Sequence, residues 1–173
     1  MIRVVALGSE LAGDDAAALV VARTLTPSEG VSMATQGPSM DGVSMEGVEV
    51  VLAGRPGPSL LDHLEGAVVV LVDVVRRGLA PGEVITIDLP TLAARGLSSG
   101  SMTSHDLGPI EALRLADALG RPTPRGLFVG VGGASFARGA GLGELVEAAL
   151  PRLRAAILEA VVAARAAEEK DHA

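Results

Sequence analysis

Short runs of β-branched and other apolar residues alternate along the chain with longer stretches rich in Ala and Leu. Apolar runs with few polar interruptions predict strands buried on both faces, and the Ala- and Leu-rich stretches predict helices. The predicted strands are residues 2–7, 48–53, 67–72, 83–88 and 126–131. The predicted helices are residues 14–25, 58–65, 107–119 and 142–169. This alternation predicts an α/β layer fold, with the more polar strand 83–88 toward an edge of the sheet.

Two segments do not follow this alternation. Residues 26–47 contain the tetrapeptide GVSM twice, at 30–33 and 42–45, which indicates a small duplication in a connecting segment. Because loops tolerate insertions at little cost, we expect a surface hairpin or a loose loop there, without a function of its own. Residues 90–106 are rich in Ser, Gly and Thr. A loop of that length in a compact domain is usually functional or mobile.

The composition fits one globular domain over residues 1–173, with a solvated tail at about 168–173. The formal charge is −7 and the only aromatic side chains are two Phe, which argues against a nucleic-acid partner. The chain has no Cys, which excludes disulfides and thiolate metal sites. The apolar runs are too short to cross a membrane, and the first residues resemble a strand more than a signal peptide. We therefore expect a cytoplasmic protein that does not insert into membranes.

Three side chains that can bind metals are placed where α/β proteins bind ligands. Asp15 follows the first predicted strand, Asp73 ends the run VVVLVD, and His105 follows the Ser- and Gly-rich segment. The carboxyl ends of parallel strands gather at one edge of a sheet. Two carboxylates and one imidazole at that edge would form a three-ligand site for a divalent metal, with coordination positions left open.

On spacing alone, structural roles for the same residues are the favoured interpretation. Asp14 and Asp15 suit the positive end of a helix dipole. Asp73 can cap a turn or pair with Arg76 or Arg77, because a buried carboxylate needs a partner. The histidine can be an ordinary loop residue.

Other motifs are weak or missing. The glycine-rich stretch VGVGGAS at 129–135 could cradle an anion with its backbone N–H groups, or could simply turn the chain after a strand. The dinucleotide-binding pattern G-x-G-x-x-G, the Walker A pattern and H-E-x-x-H are absent, so we expect no organic cofactor. His63, on a short predicted helix, is interpreted as a surface residue.

The order of several short motifs resembles that of the hydrogenase maturation proteases, which trim the C-terminus of the large subunit of nickel–iron hydrogenases. VVALGSELAGDDAAA is similar to that family's first strand followed by Gly-Asn-x-x-x-x-Asp-Asp/Glu. VVLAGRPGPSLLDHLEGAVVVLVD is similar to its strand, Gly-x-x-Gly turn, Leu-Leu helix and strand ending in Asp. SHDLGPIEALRLADALG resembles its His-containing segment and the helix that follows, and VGVGGASFARGAGLGELVEAAL its last strand, glycine turn and final helix.

This resemblance implies a three-layer α/β/α fold with a mixed, largely parallel sheet. It also implies a metal site formed by Asp15, Asp73 and His105, which are the three residues reached from the strand ends. The metal would be nickel supplied by the substrate, a nickel–iron hydrogenase large-subunit precursor or a similar metalloprotein. The expected activity is endoproteolysis after nickel insertion, carried out by those three residues through the metal. The turn residues Gly54, Pro56 and Gly57 are expected to contact the substrate.

The sequence also departs from the family pattern near the first motif. Ser9 stands where Asn is usual, and Ala16 and Ala18 stand where glycines are common. Less backbone freedom at these positions favours a second hypothesis, a non-catalytic relative that binds or chaperones a metalloprotein. Asp15, Asp73 and His105 are all retained, which favours the protease.

Overall fold

A five-stranded sheet in the order β4-β1-β5-β7-β6 forms the middle of the protein. The computed structural model describes residues 1–26, 39–96 and 108–171. The strands are β1 (Ile2–Leu7), β2 (Ser39–Met40), β3 (Val43–Ser44), β4 (Val48–Gly54), β5 (Val68–Val75), β6 (Val84–Asp88) and β7 (Gly126–Gly132). All neighbouring strands of this sheet are parallel except β6, which pairs antiparallel with β7 at one edge. The predicted mixed, largely parallel sheet and its polar edge strand are therefore confirmed.

Helices cover both faces of the sheet. They are α1 (Ala17–Arg23), α2 (Leu60–Leu64), α3 (Leu89–Gly96), α4 (Pro109–Ala118) and α5 (Glu144–Asp171). Alternate residues of β1 divide between the two faces: Val4 packs in the core with α1 and α5, whereas Val5 packs in the core with α2, α3 and α4. A strand covered on both faces needs apolar residues at every position, which explains the unbroken apolar runs.

Most elements lie within a few residues of their predicted bounds, and three differences bear on the site. β5 continues through Asp73 to Val75, so Asp73 lies within the strand and does not end it. The first helix begins as the 3-10 helix Gly13–Ala16, and regular α1 starts only at Ala17. The segment predicted as a loop at 90–106 begins with helix α3, because burial of its apolar side chains stabilises a helix there. The rest of that segment, residues 97–106, lies outside the described residues.

The second GVSM copy, residues 42–45, forms part of the turn and the second strand of a β-hairpin. β2 and β3 pair antiparallel around Asp41 and Gly42, whose φ angles of 49° and 81° suit a tight two-residue turn. Met45, directly after β3, is buried in the core against α1 and α5, and Asp41 at the turn pairs with Arg154 of α5. The predicted hairpin is thus confirmed for this copy, while the first copy at 30–33 lies outside the described residues.

Candidate functional site

A cavity of about 760 Å³ opens at the carboxyl ends of β1, β4 and β5. Strand ends and the segments that follow them converge at this edge of a parallel sheet, which is why α/β proteins bind ligands there. One side of the cavity is mostly apolar, and its residues come from β6, β7, α3 and α4: Ile85, Phe128, Leu92 and Ile110, with the carboxylate of Glu111 also in the α4 part of the lining. The other side carries two carboxylates and two guanidinium groups: Asp15, Asp73, Arg55 and Arg76.

Asp15 is held against the end of β1 by the 3-10 helix Gly13–Ala16. Gly8 has a φ of 126°, and a Cβ at that position would lie 1.9 Å from the carbonyl oxygen of Asp15. Glycine at position 8 is therefore required for this close approach. The backbone N–H of Ser9 donates a hydrogen bond to the same carbonyl at 3.2 Å. Asp15 is only 5% exposed, and it lines the cavity.

Two arginines pair with the Asp15 carboxylate. Nη2 of Arg55 donates to Oδ2 of Asp15 at 2.7 Å, and Nη2 of Arg76 lies 3.5 Å from Oδ1. Arg55 comes from the turn after β4, whereas Arg76 follows β5 and stacks over the ring of Phe136 at 4.1 Å. Both oxygens of Asp15 therefore face a positive charge in this structure.

Asp73 has a markedly raised pKa. The loss of hydration inside the protein raises the pKa of Asp73, and the backbone N–H of Val74, which donates to its Oδ1 at 2.8 Å, opposes that effect. The nearby negative charge of Asp15 raises the pKa further, although Arg76 and Arg55 act in the opposite direction. The resulting pKa is about 7, compared with an ordinary value of 3.8. At neutral pH this carboxyl is thus close to the point at which it gains or loses a proton.

Asp14, the neighbour of Asp15, has a structural role. Its Oδ2 accepts N–H groups of Ala134 and Ser135, and its Oδ1 accepts that of Gly143, all at 2.6–2.8 Å. Burial opposes ionisation, but the N–H groups of Ser135, Gly143 and Ala134 outweigh it and lower the pKa of Asp14. The glycine-rich turn after β7 therefore does cradle an anion, and that anion is a side chain of the same protein.

Asp14 and Asp15 do lie in the first turn of the 3-10 helix, as the helix-dipole interpretation predicts, but neither side chain caps it. The carboxylate of Asp14 reaches the turn after β7 and the start of α5, more than a hundred residues away in sequence, and does not cap its own helix. Asp15 pairs with arginines from two other segments. Arg76 does interact electrostatically with Asp73, as one of the predicted alternatives has it, but its ion pair is with Asp15.

Five of the six predicted site residues line the one cavity. They are Asp15, Asp73, Gly54, Pro56 and Gly57. His105, the sixth, lies outside the described residues, so its assignment stays a prediction. Among the residues that the structure describes, no group of three or more His, Cys, Asp or Glu side chains is arranged to hold a metal ion.

Sequence reasoning missed Arg55 as part of this site. Arg55 lies in the turn GRPG, directly after a predicted strand, so the argument that collected Asp15 and Asp73 from strand ends could also have collected it. His63, interpreted as a surface residue, is half-buried on α2 and does not line the cavity.

A family model described as hydrogenase maturation protease matches residues 40–160. That span is well over half of the sequence, and it includes the whole of β4 and of β5. The chain belongs to the hydrogenase maturation protease family. No curated protein sequence matches the chain significantly.

Solved structures of an endopeptidase and of two hydrogenase maturation enzymes have a similar fold. A solution structure of an endopeptidase from Escherichia coli superimposes with a TM-score of 0.70 at 22% identity, over 92% of this chain and 91% of the other. The hydrogenase maturating endopeptidase HybD of E. coli gives 0.67 at 21% identity, over 92% and 91%. The [NiFe] hydrogenase maturation protease HybD of Thermococcus kodakarensis gives 0.63 at 24% identity, over 94% and 98%. The predicted α/β fold is confirmed by these likenesses.

Family membership gives the class of activity. Hydrogenase maturation proteases are endopeptidases, and this chain is a peptidase of that type with a role in hydrogenase maturation. Within the described parts of the chain, no helix is long and apolar enough to span a membrane.

Proposed function

We propose that this hydrogenase maturation protease removes the C-terminal extension of a nickel–iron hydrogenase large-subunit precursor after nickel has been inserted. The nickel belongs to the precursor, and Asp15, Asp73 and His105 recognise it. The observation that carries the proposal is the pair of carboxylates, Asp15 and Asp73, which line one cavity at the carboxyl edge of the sheet.

The charges in the cavity suit a divalent cation. The pKa of Asp73, at about 7, reflects the cost of a second carboxylate charge in a poorly hydrated position near Asp15. A divalent cation bound by both carboxylates would remove their repulsion and replace the lost hydration. Carboxylate and imidazole groups are both ligands that divalent transition metals accept, so the addition of His105 would give a suitable donor set.

The position of His105 in the sequence supports its assignment. His105 precedes Gly108 by three residues, and Gly108 lines the cavity at the start of α4. An extended chain covers at most about 3.6 Å per residue, so the Cα of His105 is tethered within roughly 11 Å of the Cα of Gly108. That reach is compatible with an imidazole that shares a metal with Asp15 and Asp73.

The proposed chemistry is direct attack of water on the scissile peptide bond. Among the described residues that line the cavity there is no Ser, Thr or Cys, so these residues offer no side-chain hydroxyl or thiol nucleophile. The precursor's metal would polarise the scissile carbonyl or activate the water. Asp15 and Asp73 would fix the position of that metal relative to the bond, which contributes to the rate by orientation.

The turn after β4 would contact the precursor peptide. Gly54 and Gly57 have φ angles of 63° and 58°, and there is open space beside Gly57 where a side chain would otherwise project. A polypeptide can approach such a backbone closely. Because Arg55 lies between these glycines and pairs with Asp15, peptide contact with the turn and metal contact with the carboxylates would occur together.

The test is incubation of the purified protein with a nickel-loaded precursor, followed by mass spectrometry of the products. We expect the native protein to release a defined C-terminal peptide, His105→Ala to release none, and the matched control His63→Ala to process normally. Unchanged processing by His105→Ala would contradict the proposed site. An intact precursor that co-purifies with the native protein would instead identify a non-catalytic, chaperone-like relative.

A further inference from the structure

The carboxylate that the proposed function assigns to nickel is already paired in the free protein. Oδ2 of Asp15 accepts a hydrogen bond of 2.7 Å from Arg55, and Oδ1 faces Arg76 at 3.5 Å. The Asp15 side chain is 7% exposed, so little other surface of this carboxylate is accessible. An ion that approaches Asp15 from solution must therefore displace at least one guanidinium group.

The two arginines are held differently. The guanidinium of Arg76 stacks over Phe136 at 4.1 Å, which fixes it independently of Asp15. Arg55 lies in the glycine-rich turn after β4; its side chain is exposed to nearly the same extent as that of Arg76, 44% against 41%. Gly54 precedes Arg55 and Gly57 follows Pro56, and backbone rotation at these two glycines is less restricted than at other residues. Arg55 is thus the arginine whose position depends on the turn after β4, which the precursor would contact.

We propose that Arg55 is a specificity-determining residue that competes with metal ions for Asp15. In the free protein it occupies Oδ2 and disfavours the binding of free ions. When a precursor contacts the turn Gly54–Pro58, Arg55 moves with the turn and leaves Asp15 to the metal that the precursor carries. The proposal rests on the proposed function, because it takes Asp15 as a ligand of that metal.

The physical basis is the electrostatic repulsion between two cations that bind the same carboxylate. A guanidinium at 2.7 Å satisfies Oδ2, and a divalent ion at the same oxygen would be repelled by it. A free ion gains only its contacts with the ligands, whereas a precursor also contributes the binding energy of its polypeptide, which offsets the displacement of Arg55. The competition would therefore make the protease respond to metal within a precursor and not to free metal.

The test measures Ni²⁺ binding to the isolated protein by titration calorimetry, with nickel chloride as the probe. We expect Arg55→Ala to bind Ni²⁺ about tenfold or more tightly than the native protein, within the usual range of coupling between sites. Arg77→Ala is the matched control, because it removes the same charge from an exposed residue that does not line the cavity. It should bind Ni²⁺ as the native protein does. Adding Asp15→Asn should remove the gain seen in Arg55→Ala.

The outcomes separate this proposal from the proposed function. If the native protein and Arg55→Ala bind Ni²⁺ with equal affinity, and Asp15→Asn abolishes binding in both, then Arg55 does not compete with the metal. Asp15 would still be a ligand. Equal affinities that Asp15→Asn does not change would overturn both. Tighter binding that survives Asp15→Asn, or no binding to Arg55→Ala, would also overturn the competition. Should Arg55→Ala not fold by circular dichroism, Arg55→Gln supplies the same comparison with a longer side chain.

Discussion

Replacement of Asp73 by Asn should stabilise the fold above neutral pH and have little effect in acid. The pKa of Asp73 is about 7 in the folded protein, compared with 3.8 for an ordinary Asp. Between those values the folded state holds a proton that the unfolded chain has released, so ionisation of Asp73 makes folding less favourable as pH rises from about 4 to about 7. Asn has the same shape, can still accept the N–H of Val74, and carries no charge.

The magnitude follows from the size of the pKa change. A rise from 3.8 to about 7 is roughly three units, and at about 1.36 kcal/mol per unit this gives an upper bound of about 4 kcal/mol. The cavity leaves Asp73 partly accessible, and water there screens its charge. We therefore expect a gain of about 2 kcal/mol in the free energy of unfolding at about pH 8.

The assay is urea unfolding of the native protein and Asp73→Asn at about pH 8 and about pH 3.5. The difference between them should shrink to less than about 0.5 kcal/mol at the lower pH, which lies below the pKa of Asp73 in both the folded and the unfolded native protein. Asp62→Asn, at an exposed position on α2, is the control and should change little at either pH. If the native protein and Asp73→Asn are equally stable at about pH 8, or if Asp73→Asn is less stable at both pH values, then ionisation of Asp73 does not destabilise the folded protein.

Three further substitutions test the surroundings of the cavity and the hairpin. Asp14→Asn leaves at least one backbone N–H without its carboxylate acceptor, and should lower the free energy of unfolding by about 2–3 kcal/mol in urea at neutral pH; a change below about 0.5 kcal/mol would contradict its structural role. Gly8→Ala places a Cβ 1.9 Å from the carbonyl oxygen of Asp15 and should reduce both thermal stability and precursor processing, whereas an unchanged melting temperature would show that the 3-10 helix can shift freely. Met45→Ala should lower the free energy of unfolding in urea by about 2–4 kcal/mol, because Met45 is buried. If it lowers that free energy no more than Met40→Ala does, at the half-buried Met40, the hairpin is not anchored by Met45.

The sheet was predictable from sequence because its central strands are covered on both faces. That environment requires a run such as residues 67–72, which contains no polar residue and is easily recognised. The more polar β6 was correctly placed at an edge for the same reason. Strand ends were harder to predict, since β5 carries Asp73 inside the strand, where the open cavity beside it accepts a carboxyl group that a closed core would exclude.

The parts of the site that depend on distant segments were not predictable from local patterns. Asp14 and Asp15 are adjacent and identical in type, yet Asp14 bonds to backbone groups after β7 and Asp15 pairs with Arg55 from the turn after β4. No spacing rule distinguishes them, because the difference arises only when the sheet brings those turns together. Helix α3 was missed for a similar reason: its Ser- and Gly-rich continuation suggests a loop, while burial of Leu92 stabilises the helix.

In the proposed function, this protease recognises nickel held within its precursor. The most direct measurement compares cleavage of nickel-loaded and nickel-free forms of the same precursor by the native protein, with the released C-terminal peptide followed by mass spectrometry. If the protease recognises the nickel, it should cleave the nickel-loaded form alone. Cleavage of both forms at the same rate would contradict it.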